Sequence, residues 1–308
     1  MKKPLVIAIT GPTASGKSAL AVELAKKLHT EIVSADSRQI YKDIPIVTAV
    51  PTHEEREDIP HHLLEFLELE AYYSASRFTE DAQTIITELA KEDKPIIVCG
   101  GSMLYIDSLL YGIDELPTVS DELRRRLTED WENNGDEWLK NRLKELDPDY
   151  YNKVDLKNLK RVFHAIEVTE MAGKSYSSLL NGPKGERKFD FIKICLTGDR
   201  QVLFDRINSR VLSMMEKGLE EEARKVYEKR NLNSLNTVGL KEMFAWFEGA
   251  FTKDEAIARI QKNTRVYAKK QMTWHKKDDN CQWMDFTEPK ERNTERIMAM
   301  TLHHISTK

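Results

Sequence analysis

An α/β fold, with a mostly parallel sheet covered by helices and one all-helical insertion, is what this sequence predicts. Three observations predict it. Apolar runs of strand length alternate with amphipathic stretches of helical period. The early runs are apolar at nearly every position, as strands buried on both faces must be. Between about residues 116 and 190 the alternation lapses and only helical patterns remain.

The strands are expected at Leu5–Ile9, Glu31–Ala35, Pro95–Cys99, Phe191–Leu196 and Gln282–Asp285. In Arg77–Glu92 the residues Phe78, Ala82, Ile85, Ile86 and Leu89 recur at helical spacing and predict a helix with one buried face. Asp121–Trp131, Asp136–Leu146 and Asn158–Ala172 read as the insertion helices. A Gly/Pro/Lys-rich segment, Asn181–Lys188, reads as a flexible return to the sheet. The expected division is a core of residues 1–115 and 191–308, ending in basic helices, with residues 116–190 inserted. No repeat and no low-complexity tract is present.

Composition excludes several classes. The chain has 308 residues, 40% hydrophobic and 32% charged, which suits a globular protein with a sizeable core. Its 47 Lys+Arg against 51 Asp+Glu, a net charge of −4, exclude a uniformly basic nucleic-acid coat but not a local basic groove. Ala256–Lys277 is such a region. It holds Arg259, Lys262, Arg265, Lys269, Lys270, Lys276 and Lys277 with no acid, and Tyr267 and Trp274 lie among them. That pattern suits an RNA-facing surface or an ordinary solvated helix face. Cys99, Cys195 and Cys281 are odd in number and far apart, so neither a disulfide framework nor a zinc site is expected, and a reducing cytoplasm fits. No apolar run approaches the ~20 residues of a membrane span. MKKPLVIAIT imitates a leader but runs straight into a phosphate-binding motif, so it reads as the first strand. No coiled-coil heptad appears, and a monomer is expected.

Gly11, Pro12, Thr13, Ala14, Ser15, Gly16, Lys17 and Ser18 match G-x-x-x-x-G-K-[ST] between a strand and a helix. Backbone N–H groups of such a loop curl around an anion and the helix N-terminus adds positive potential. Lys17 supplies a point charge and Ser18 a ligand for Mg2+. A P-loop NTPase-like sheet follows. The loop grips two or more phosphates but does not by itself demand ATP; a diphosphate leaving group fits equally.

Other motifs must resolve that ambiguity. Asp36 ends the second strand, where strand C-termini face the ligand crevice. It suits Mg2+ binding or proton abstraction, or a capping box with Gln39. Ser102, after Gly100-Gly101, suits a hydrogen bond to an oxygen where charge develops or a plain N-cap. Arg206 and Arg210 are spaced to share one helix face, unfavourably unless an anion lies between them. Arg124, Arg125 and Arg126 raise the same question. His61-His62 are adjacent and are not read as a metal pair.

Seven segments in order, GPTASGKS, ADSRQIYKDIPIVTA, HHLL, YSASRF, CGGSMLY, TVGLKEM and TRVYAKKQMTW, resemble the tRNA dimethylallyltransferase (tRNA isopentenyltransferase) family over about residues 5–285. The resemblance implies a P-loop sheet domain with a helical insertion, which together clamp RNA. It implies transfer of a dimethylallyl group from dimethylallyl diphosphate to the exocyclic N6 amine of the adenosine 3′ of the tRNA anticodon, with release of diphosphate. On this resemblance Gly11–Ser18 would hold the diphosphate, with Mg2+ near Ser18. Asp36 would be the general base, Ser102 would stand where the family usually has Thr, and Arg210 would meet the diphosphate. The tRNA would meet Ser37, Arg38 and Gln39 beside the flipped base. Arg124, Lys160, Arg161, Val162, Phe163 and His164 on the insertion would meet it too, as would Asn236, Thr237, Val238, Gly239, Leu240 and Lys241. The sequence departs from the family's I-G-T-A-K-P at Val47 and Val50, from I-G-Y-K at Val238-Gly-Leu-Lys241, and from A-K-R-Q at Lys270, where Lys cannot supply an Arg fork. A small-molecule P-loop kinase using ATP is the first alternative; the helical insertion and basic C-terminal helix exceed what a small acceptor needs. A nucleotide-switched RNA-binding module is the second; Asp36 and Ser102 facing the loop argue against it.

Overall fold

The structure is a computed structural model, and it describes residues 3–114, 116–180, 182 and 188–307. Among the described residues six strands form one parallel sheet. They are β1 (Leu5–Thr10), β2 (Ile32–Ser34), β3 (His61–His62), β4 (Ile96–Cys99), β5 (Asp190–Thr197) and β6 (Cys281–Asp285), in the order β3-β2-β4-β1-β5-β6. The central strand β1 is buried at all six positions. Each of its Leu, Val and Ile side chains contributes about 1.5–3 kcal/mol by leaving water. The expected strands are present; the short edge pair at His61–His62 is the addition.

The longer helices are α1 (Lys17–Leu28), α2 (Ala75–Leu89), α3 (Met103–Tyr111), α4 (Asp121–Leu146), α5 (Leu159–Ala172), α6 (Arg200–Glu216), α7 (Leu219–Val226), α8 (Leu240–Phe247), α9 (Lys253–His275) and α10 (Lys290–Ser306). Local chemistry sets their ends. Ser74 caps α2 by accepting the Arg77 N–H, and Thr252 caps α9 with Glu255 closing a capping box. Gly135 breaks α4 with a non-helical backbone, which is why two helical stretches were readable there.

The chain divides into two compact units, residues 1–110 with 187–308, and residues 111–186. The first holds the sheet and two apolar clusters. One joins β1, β4 and β5 to α1 and α6; the other packs Ile40, Ile44 and Val47 against α7 and α8. The second unit is helical, closed around Leu127, Leu139, Leu143, Val162, Ala165 and Ile166. Asp147, buried, accepts N–H bonds from Tyr150 and Ser177 and ties its turns together. Of the expected return segment, residues 181 and 183–187 lie outside the described residues.

The cysteines correct the sequence reading. Cys195 on β5 and Cys281 on β6 form a disulfide across a separation of 86 residues, and only Cys99 is free. The register of β5 against β6 brings the pair together, and nothing in the spacing encodes it. Beside them His275 donates to or accepts from Thr10 through Nε2 at 3.0 Å. Burial, with the Lys193 charge adding, pulls the His275 pKa down to about 4, so the ring is neutral. Among the described residues no helix is long and apolar enough to cross a membrane.

Candidate active site

The parallel order delivers three loops to one edge of the sheet. The phosphate loop follows β1, Ala35-Asp36 follows β2, and Gly100-Gly101-Ser102 follows β4. Ligands in open α/β sheets bind beyond the strand C-termini for this reason. Gly100 is required here, because a Cβ on it would lie 2.0 Å from the Ala35 carbonyl oxygen. That close approach lets the Ser102 N–H reach the same carbonyl at 3.2 Å.

Asp36 Oδ1 accepts N–H bonds from Arg38 at 2.9 Å and Gln39 at 3.4 Å. Oδ2 has no hydrogen-bond partner among the described residues. The alternative of a capping box is not formed: residues 37–40 form turns rather than a helix, and the Gln39 amide donates to the carbonyls of Thr48 and Ala49 instead. The carboxylate is therefore oriented at one oxygen and open at the other. Ser102 Oγ accepts the Ser37 N–H at 2.7 Å and donates to Ser37 Oγ at 3.0 Å, so its hydroxyl fixes the turn beside Asp36.

In the phosphate loop Lys17 donates to the Pro12 carbonyl at 2.7 Å. Burial, with the nearby Arg210 charge adding, lowers its pKa from 10.5 to about 8. Ser15 Oγ is buried with no hydrogen-bond partner, and Ser18 is exposed in the first turn of α1. Arg210 donates to Thr13 Oγ1 at 3.4 Å and makes no salt bridge among the described residues. Burial lowers its pKa, with Asp36 and Glu55 acting against that shift. For Arg206, which the spacing left open between a shared anion and a local partner, the structure gives a local one: its guanidinium lies 5.1 Å over the Phe286 ring.

Two predicted segments meet the cleft. The Arg38 guanidinium donates to the carbonyls of Asn233 at 2.8 Å, Ser234 at 3.0 Å and Asn236 at 3.4 Å. It thereby clamps the turn before α8 to the Asp36 loop. Thr13, Asp36, Ser37, Arg38, Arg210 and residues 236–239 with Lys241 line one cavity of about 380 Å³. Leu240 does not; it is buried in the core under α8, which corrects its expected role.

The predicted residues of the helical unit sit otherwise. Arg124 on α4 pairs with Glu167 at 2.6 Å, and Glu167 also lies 3.6 Å from His164. Lys160 and Arg161 are exposed at the start of α5. Val162 is wholly buried and Phe163 packs on Trp131 with ring centroids 5.4 Å apart. Val162 thus has no side-chain surface for RNA, which corrects its expected role. His61 and His62 are strand residues bonded to the Ile59 carbonyl and to Glu31.

Gln271 escaped the sequence reading. Its side chain accepts the Thr13 N–H at 2.9 Å and donates to the Gly101 carbonyl at 2.8 Å, bridging the phosphate loop to the loop after β4. The signal was available. Ile260, Ala268, Gln271 and His275 form the buried stripe of α9, and a buried amide on such a stripe needs polar partners.

The family model described as IPP transferase matches residues 39–278. The chain is 45% identical over 303 residues to tRNA dimethylallyltransferase 1 of Bacteroides thetaiotaomicron, covering 98% of this chain and 97% of that protein. It is 48% identical over 278 residues to tRNA dimethylallyltransferase 2 of Parabacteroides distasonis, covering 90% and 93%. Among solved structures it resembles the full-length tRNA isopentenylpyrophosphate transferase of Bacillus halodurans. There the TM-score is 0.73 at 32% identity, over 99% of this chain and 98% of that one. It also resembles a eukaryotic dimethylallyltransferase acting on tRNA, with a TM-score of 0.85 at 28% identity over 99% and 80%.

Proposed function

The chain belongs to the IPP transferase family, and from that premise we propose that it transfers a dimethylallyl group from dimethylallyl diphosphate to the N6 amine of the adenosine 3′ of the tRNA anticodon. One observation carries the reading. A carboxylate with one oxygen fixed and the other unengaged faces the same cavity as a phosphate loop and an arginine without a carboxylate partner.

The chemistry needs each group. The adenine amine lone pair is delocalised into the ring, so the amine attacks poorly until a base draws off a proton. Asp36 Oδ2 takes that proton as N6 bonds to the allylic carbon. The carbon–oxygen bond breaks and its electrons leave with diphosphate. The N–H groups of the phosphate loop, Lys17 and Arg210 stabilise the charge gathering on the leaving oxygens. The orphaned Ser15 hydroxyl is a further donor for that anion. Mg2+ fits the donor set, since Ser18 and diphosphate oxygens are the hard ligands it takes, and when bound it would neutralise part of the diphosphate charge. Ser102 and Gln271 act at one remove, holding the Ser37 turn and the two loops. Anticodon-loop bases are single-stranded, so extruding the adenine costs little. A tRNA substrate is in keeping with the cytoplasm expected from the sequence.

The test mixes purified protein and unmodified tRNA with labelled dimethylallyl diphosphate, or with ATP. Label in RNA with equal diphosphate release is expected, and ATP consumption without RNA modification would replace this reading with a kinase.

A further inference from the structure

Strands β5 and β6 and the end of α9 bring three metal-ligating side chains together. Cys195, His275 and Cys281 are all buried, and one ligand atom from each lies within 4.8 Å of the other two. The strand register sets the Cα atoms of the two cysteines 5.5 Å apart. Cys281 Sγ also lies 3.5 Å from the carbonyl oxygen of His275, six residues back along the chain. We propose that Cys195, Cys281 and His275 form a site for a soft, thiophilic cation, Cu+ or Zn2+, which the two sulfurs hold once the disulfide between them is reduced. The site is separate from the cavity beside Asp36 and does not depend on the transferase reading.

The imidazole separates this reading from a disulfide alone. A disulfide satisfies both sulfurs but leaves His275 Nδ1, on a side chain with no exposed surface, without a hydrogen-bond partner among the described residues. A buried polar nitrogen is costly unless something answers it, and a metal bond does. His275 Nε2 is meanwhile 3.0 Å from Thr10 Oγ1. A proton held there by Thr10 leaves the Nδ1 lone pair for a cation; a hydrogen bond at one ring nitrogen orients the other for ligation in this way. Two thiolates and an imidazole are the donors that soft cations take. Bonds of about 2.3 Å to sulfur and about 2.0–2.1 Å to nitrogen suit a triangle of this size. Mg2+, which takes oxygen ligands, does not suit it. In the reducing cytoplasm expected from the sequence, cysteines are kept as thiols. Two cellular thiols supply the two electrons and two protons that open the Cys195–Cys281 bond to two thiols, and form a disulfide of their own. Binding the cation then releases both protons, because the sulfurs ligate as thiolates. Thr10 ends β1 immediately before Gly11, so the site lies one hydrogen bond from the phosphate loop.

The experiment purifies the full chain anaerobically with a phosphine reductant, from cells grown with added zinc or copper, and measures bound metal after gel filtration. The reduced parent is expected to retain about one ion per chain. Co2+ in its place is expected to give thiolate-to-metal charge-transfer absorption. Neither readout needs a variant or transferase activity. Cys195→Ser with Cys281→Ser is expected to abolish retention, His275→Gln to weaken affinity by ~100-fold or more, and Cys99→Ser to leave it unchanged. Retention of either ion or of both supports the site, and the comparison tells which the site prefers. A reduced parent that holds neither ion overturns the proposal, as does a Cys195–Cys281 bond that survives the reductant in the folded protein. Metal held equally well by the double cysteine variant, or by His275→Gln, overturns it too.

Discussion

In the helical unit, Arg124 pairs with Glu167 at 2.6 Å, and Arg126 and Arg142 pair with Glu170, all between α4 and α5. In the sheet unit, Arg210 and Asp36 face a cavity without a salt bridge among the described residues, and on α9 Lys262, Lys269 and Lys270 are exposed with none either. The first arrangement is a scaffold, because each arginine already has a counter-ion within the unit. The second leaves charge facing space, which is stable only where solvent or a ligand answers it. Pairing within the fold, more than the number of arginines in a stretch, separates structural charge from charge set aside for a substrate.

The largest effect tests the unpaired carboxylate. Asp36→Asn keeps the shape and the Oδ1 acceptor but removes the base. Turnover is expected to fall by ~10²–10⁴-fold while tRNA affinity in a filter-binding assay changes little. Normal turnover would break the comparison at its centre. Arg210→Met is expected to lower kcat/KM for the diphosphate donor by ~10- to 100-fold, read in steady-state kinetics at saturating tRNA.

The pH profile sharpens the same point. Lys17 must be protonated to hold an anion, and its pKa in the free site is about 8. The charged form therefore prevails below pH 8, and kcat/KM for the donor is expected to fall as pH rises through 8, by about tenfold per unit beyond it. A flat profile from pH 7 to 10 would mean that Lys17 does not bear on binding.

The two smallest effects contrast the helices directly. Lys262→Ala with Lys269→Ala and Lys270→Ala is expected to flatten the dependence of log K on log salt by up to about 0.7–0.9 per lysine that meets a phosphate. Glu167→Gln is expected to lower stability by about 1–3 kcal/mol, seen as a lower denaturation midpoint with kcat unchanged. If the two outcomes were exchanged, the division between scaffold and binding charge would be wrong.

Much of this was legible locally. The phosphate loop, the buried strands and the break between two insertion helices at Gly135 follow from spacing of a few residues, because the geometry they encode is itself a few residues long. Asp36 was legible as well, since a strand end next to such a loop has few places to point. The corrections concern residues inside correctly placed segments. Val162 and Leu240 lie in motifs yet are buried, because a helix turns every third or fourth side chain inward. Arg206 sits four residues from Arg210 and still finds Phe286 instead of the loop.

The amino-acid order alone therefore determined the class of fold, the glycine-rich motif between β1 and α1, and the family. Tertiary structure decided which distant partners meet: Cys195 with Cys281, Thr13 with Gln271, Val47 with Gly239. Those pairs span 86 to 258 residues of chain for the first two, and they exist only because the parallel register and the packing of α9 and α8 set them side by side. Local patterns specify turns and faces, whereas a contact across the fold depends on where two whole elements come to rest.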